Sequence, residues 1–147
     1  IAAFDIDQAM DELDDLPETE REAVIMARFG QGIYRSELLD LWSGRCAVTG
    51  TAVGAALVAS HIKPWREANN QERLDRHNGL LLVGTLDRVF DAGLITFDDD
   101  GCLSVSRAVP EHELHLLGLG GDMRLRLVES EHRPYLAYHR EHIFVEA

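Results

Sequence analysis

The spacing of apolar residues changes character along the chain. Tyr34, Leu38, Leu41 and Trp42 recur at helical spacing, which predicts a helix over 33–43 closed by Gly44. Upstream, Thr19 followed three residues later by Glu22 has the form of a capping box and opens a helix over roughly 19–29. Gly30 and Gly32 are read as its break. Residues 1–17 form an acidic, loosely amphipathic stretch, read as a helix ending near Pro17. Beyond residue 44 the apolar runs shorten. Residues 54–60 suit a short buried strand leading into His61, and 79–83 suit a second. Between them, 64–77 is polar and non-periodic, and reads as a loop. Thr85 is placed to cap a short helix over 86–92, which Gly93 ends. Residues 94–97 and 102–106, joined by Asp98-Asp99-Asp100-Gly101, predict a hairpin. Residues 123–128 alternate as a half-exposed strand does, and Pro134 sits at the start of a final helix reaching about Phe144.

This order of elements is an α+β pattern. The length of 147 residues fits one domain, divided into an acidic helical flank (1–27), a central region (28–106) and a C-terminal strand and helix (107–147). No run is long and apolar enough for a membrane span, and no leader peptide is visible. Cys46 and Cys102 do not make a disulfide framework, so a reducing cytoplasm is the default expectation. The chain opens on Ile1 rather than Met, which reads as a fragment of a longer protein. The net charge of −12 opposes strong nonspecific binding to phosphates. The acids crowd the stretch from Asp5 to Glu22, however, whereas the balance from Arg28 to Arg76 is close to neutral or slightly basic.

The residues with chemical potential cluster in the central region. Asp87 and Asp91 are four apart and share one face of a helix, where two carboxylates can bind one hard divalent cation. His61, delivered from a neighbouring strand, titrates near neutrality and can act as a general base. Asn78 can brace the preceding loop through hydrogen bonds to backbone. Each also has a plainer reading: a structural histidine, a turn at Asn78-Gly79, a solvated acidic helix face. Trp42, Trp65 and Phe90 read as packing residues, and Cys46 as a small buried hydrophobe.

Several motifs occur together in order: Cys46-Ala47-Val48-Thr49-Gly50, Ser60-His61-Ile62-Lys63-Pro64-Trp65, Asn78-Gly79-Leu80-Leu81-Leu82, and Leu86-Asp87-Arg88-Val89-Phe90-Asp91-Ala92-Gly93-Leu94. In this the chain resembles the HNH endonuclease domain of restriction-type enzymes. Gly30-Gln31-Gly32-Ile33-Tyr34-Arg35 and Tyr138-His139-Arg140 resemble that family's flanks, so the likeness covers roughly 28–144. The resemblance implies a ββα-metal core that hydrolyses DNA phosphodiesters. It implies His61 as general base, Asn78 as the loop brace, and Asp87 and Asp91 as metal ligands, with Asp87 standing where the family's last His would be. It implies one divalent ion, Mg²⁺ by the oxygen donors, with Mn²⁺ or Ni²⁺ as alternatives. Lys63, Arg66 and Arg88 lie beside these motifs as phosphate contacts. Ser60 stands where many relatives carry a further ligand. No Cys-x-x-Cys knuckle is present, so no structural zinc is expected.

The acidic charge adds an expectation that target recognition lies in another domain of the full-length chain, N-terminal to this one. A homodimer would suit double-strand cutting. The alternatives are a catalytically degenerate HNH fold that binds DNA or protein, motivated by Ser60 and Asp87, and a toxin-type nuclease, which the acidic balance disfavours.

Overall fold

In a computed structural model, which describes residues 16–146, the apolar positions before residue 44 lie on one helix, α1 (Glu18–Leu41). The predicted break at Gly30 and Gly32 does not occur, and the expected cap Thr19 lies inside the helix. Two helical glycines cost about 1 kcal/mol each relative to alanine. Tyr34, Leu38 and Trp42, each at most 1% exposed, outweigh that cost, since full burial of one large apolar side chain contributes about 1.5–3 kcal/mol. Gly30 is buried, and a side chain there would meet Met26 and Leu74. Most of the acidic segment assigned to 1–17 lies outside the described residues.

Two strands follow, β1 (Leu57–His61) and β2 (Gly79–Val83), paired antiparallel from Leu57 opposite Val83 to His61 opposite Gly79. The start of the predicted first strand, Gly54–Ala56, is instead a 3₁₀ turn. The segment read as a loop contains a 3₁₀ turn at Trp65–Glu67 and a short helix, α2 (Asn70–Leu74). After β2 comes α3 (Gly84–Asp91). It begins one residue before the expected cap, and no side chain caps it. Gly93, at φ +74°, turns the chain out of α3 into β3 (Ile95–Phe97), which pairs with β4 (Leu103–Val105). Asp98 organises this turn by accepting bonds from the Asp100 and Cys102 amides. The predicted strand over 123–128 does not form a ladder. Met123 and Leu125 bond to the β3–β4 hairpin, whereas Arg126 bonds to Ala47, so the segment divides its bonds between two neighbours. Only Cys102 and Arg124 form an isolated bridge there. The last helix, α4 (Arg133–His142), carries Pro134 in its first turn, where the missing N–H costs nothing. No helix of the described residues is long and apolar enough to cross a membrane.

The β1–β2 hairpin is sandwiched. Side chains alternate along a strand, and the His61–Gly79 pair faces α1: His61 stacks on Tyr34, and a β-carbon added to Gly79 would meet the Tyr34 hydroxyl at 2.0 Å and Leu38 at 2.8 Å. The adjacent pair, Ser60 and Leu80, therefore faces the other way. Helix α3 packs against both strands and inserts Leu86, Val89 and Phe90 into the core. Helix α4 locks the end of α3. The His139 Nε2–H donates to the Phe90 carbonyl at 2.9 Å, its Nδ1 accepts from the Thr96 hydroxyl at 2.8 Å, and its ring stacks on Phe90 at 3.9 Å. Both ring nitrogens are committed in the neutral form.

Two predictions follow from this packing. Gly79→Ala destabilises the fold by about 2–3 kcal/mol, because the methyl group has no space beside Tyr34; urea unfolding checks this, and an unchanged midpoint contradicts it. Burial, with the Arg140 charge adding, lowers His139 to about 4. The unfolded chain thus binds its proton first, at about 6.5, so the stability from neutral His139 is complete above that pH and falls as the pH drops toward the folded value. Between pH 7.5 and 5 this costs the wild type about 2 kcal/mol that His139→Gln does not lose. The stability gap between the two proteins narrows by that amount in parallel urea titrations. A pH-independent gap contradicts the assignment.

Candidate active site

His61 ends β1, and its surroundings fix which nitrogen carries the proton. Nε2 lies 2.9 Å from the Arg73 carbonyl, which can only accept, so Nε2 donates and Nδ1 keeps its lone pair. The ring is held between Tyr34, stacked at 3.9 Å and 7°, and the edge of Trp65 at 5.7 Å and 82°. Burial lowers the His61 pKa, and the Arg73 charge lowers it further against the opposing effect of the carbonyl bond. His61 is therefore a neutral, oriented imidazole at neutral pH.

The Arg73 carbonyl is itself held in place. Asn69 caps α2, accepting from the Glu72 amide while the Glu72 carboxylate accepts from the Asn69 amide. The Arg73 guanidinium lies over Trp65 and donates to the Trp65 carbonyl and to Asn70. Asn78, with no exposed surface, closes the loop. Its Oδ1 accepts from the Lys63 amide at 2.7 Å, and its Nδ2 donates to the carbonyls of Glu72 at 3.1 Å and Lys63 at 3.3 Å. Tyr34 then donates to the Asn78 carbonyl at 2.6 Å. The brace read from the sequence is thus a three-bond clasp between the two ends of the loop. The signal for α2 was present as Asn69 and Glu72 at capping-box spacing.

Asp87 and Asp91 lie one turn apart on α3. The Asp91 carboxyl is raised above its ordinary range, first by partial burial and then by the negative charge of Asp87; Arg88 and Arg66 pull the other way. The influence of Arg66 brings the loop after His61 within electrostatic reach of Asp91. Among the described residues, neither carboxylate has a hydrogen-bond or ion-pair partner. The Ser60 hydroxyl, on the hairpin face opposite His61, is 3% exposed and also lacks a hydrogen-bond partner. Two carboxylates one helical turn apart suit a hard divalent cation, which takes oxygen ligands and retains water. Asp87 and Asp91 are the residues that would hold it.

The three basic residues singled out from the sequence differ in their commitments. Lys63 pairs with Glu72 at 3.0 Å and lies over the Tyr138 ring, so its charge is already matched. Arg66 and Arg88 are exposed, and Arg66 makes only a loose 3.6 Å contact with Glu67. No curated protein matches the chain. Residues 46–98, which take in β1, β2, α3 and β3 with His61, Asn78, Asp87 and Asp91, match the family described as HNH endonuclease.

Proposed function

We propose that the chain is a metal-dependent DNA endonuclease in which His61 is the general base, Asn78 the loop brace, and Asp87 and Asp91 the metal ligands. The observation that carries this reading is the His61 tautomer: the Arg73 carbonyl occupies Nε2 and leaves the Nδ1 lone pair free to accept a proton. His61 takes the proton of a water that attacks phosphorus in line. The clasp of Asn78 keeps the Arg73 carbonyl, and so the imidazole, in register during that transfer. Arg66 and Arg88 position phosphates by charge. A divalent ion at Asp87 and Asp91, Mg²⁺ by its oxygen donors, supplies Lewis-acid polarisation and charge stabilisation at the leaving oxygen. The acidic balance of the chain supports a cleavage domain of a restriction-type enzyme that relies on a separate recognition domain for affinity.

Plasmid nicking in Mg²⁺, Mn²⁺ or Ni²⁺ tests the proposal. His61→Ala slows nicking by about 10²–10⁴-fold, the usual contribution of a general base, and Asp87→Asn with Asp91→Asn abolishes metal-stimulated nicking. The lowered His61 pKa places the rising limb of the wild-type rate below about pH 6.5. A wild-type chain that binds DNA but does not nick it with any of these ions is a degenerate binding module instead.

A further inference from the structure

Away from α3, a second set of ligand atoms converges on His77. Its Nε2 lies 3.4 Å from Oε2 of Glu131 and 3.8 Å from Oε2 of Glu129, and the three ligand atoms fall within 4.8 Å of one another. These distances are too long for charge-assisted hydrogen bonds, which close to about 2.7–2.9 Å. The shorter matches an edge of a tetrahedral metal site, where ligand bonds near 2.0–2.2 Å set neighbouring ligands about 3.4 Å apart, and the longer closes by a few tenths of an ångström as an ion binds. The His77 ring is only 12% exposed, and its shielded Nε2 has no hydrogen-bond partner. Asp75 lies 3.4 Å from the opposite nitrogen, Nδ1, and also accepts from the His77 amide and the Tyr135 hydroxyl.

A second observation points the same way. His132 stands edge-on to His77 at 5.1 Å and is 1% exposed. Its Nδ1 accepts from the Glu129 amide, and its buried Nε2 has no partner. A second shielded, unpaired imidazole nitrogen thus lies on a ring in contact with His77, and among the described residues no Lys or Arg pairs with Glu129 or Glu131.

We infer that His77, Glu129 and Glu131 form a second metal site, distinct from Asp87 and Asp91, that takes a divalent transition ion of the zinc class and fastens the C-terminal segment to the end of the active-site loop. Imidazole with two carboxylates and a water in the fourth position is a zinc-type donor set. His77 directly precedes Asn78, and Glu129 and Glu131 lead into α4, so the ion ties the loop clasp to the helix that locks α3. Its role is structural, and it does not depend on the nuclease reading.

The full 147-residue chain, stripped of metal, is titrated with Co²⁺ as a spectroscopic probe and melted with and without Zn²⁺. The background is Asp87→Asn with Asp91→Asn, so that the α3 pair does not contribute. The site binds Co²⁺ in that background with a visible absorption band, and Zn²⁺ at a hundredfold excess over its dissociation constant raises the melting temperature by roughly 5–10 °C. Adding Glu129→Gln and Glu131→Gln, whose amide oxygens can still accept from the His132 amide and the Ser130 hydroxyl, abolishes the band and the shift. Absence of the band in the first background, or its persistence with the shift after the glutamine substitutions, overturns the inference.

Discussion

The side chain of Asn78 makes no contact with solvent and spends its whole amide on the backbone of the loop before it. Burying an amide is tolerable only when its hydrogen bonds are made, and a carbonyl or amide left unpaired in the interior costs about 1–3 kcal/mol. The clasp therefore fixes more than one residue. It sets the position of Lys63 at one end of the loop and Glu72 at the other, and Glu72 in turn caps α2 and pairs with Lys63. Helix α2 presents the Arg73 carbonyl, and that carbonyl decides which nitrogen of His61 carries a proton. His61, Lys63, Glu72, Arg73 and Asn78 act as one unit because they satisfy one another's polar groups.

The period of two in a β-strand supplies the second constraint. His61 and Ser60 are neighbours in sequence, yet they leave β1 on opposite faces. His61 meets Tyr34 on α1, and the Ser60 hydroxyl turns toward the face packed by α3, the helix of Asp87 and Asp91. On the proposed function, α3 brings Asp87 and Asp91 to the hairpin by packing against both strands, while α1 holds His61 through Tyr34.

How much of this was legible in the sequence follows from the range of the signals. The family match over 46–98 was legible because the motifs around His61, Asn78, Asp87 and Asp91 are short and ordered along the chain, and the hairpin turn was readable because Asp98 and Gly101 carry local turn chemistry. The single helix α1 was not: Gly30 and Gly32 argue locally for a break, and only burial of Tyr34, Leu38 and Trp42 against the hairpin overrides them. The strand expected over 123–128 failed for the converse reason. Its alternation is real, but Arg126 is drawn away by the carbonyls of Trp42, Arg45 and Cys46, which its guanidinium caps. The cluster at His77 had no sequence signal, since Glu129 and Glu131 lie some fifty residues away. The absence of paired cysteines addressed only sulfur-ligated zinc.

Charge gives the site its remaining logic. A chain of net charge −12 repels a polyanion over most of its surface, and the α3 carboxylates place more negative charge where a phosphate would have to approach. The Asp91 carboxyl is raised above its ordinary range, by partial desolvation and then by the Asp87 charge, which is the direction such tension gives. Protonation relieves it but removes a ligand; a divalent cation would relieve it by neutralising the pair. On the proposed function, metal and phosphate therefore bind with positive coupling, because the ion converts a repulsive pair into a docking point that Arg66 and Arg88 extend. On the same reading, the acidity that opposes general binding to phosphates makes engagement with DNA conditional on the loaded site.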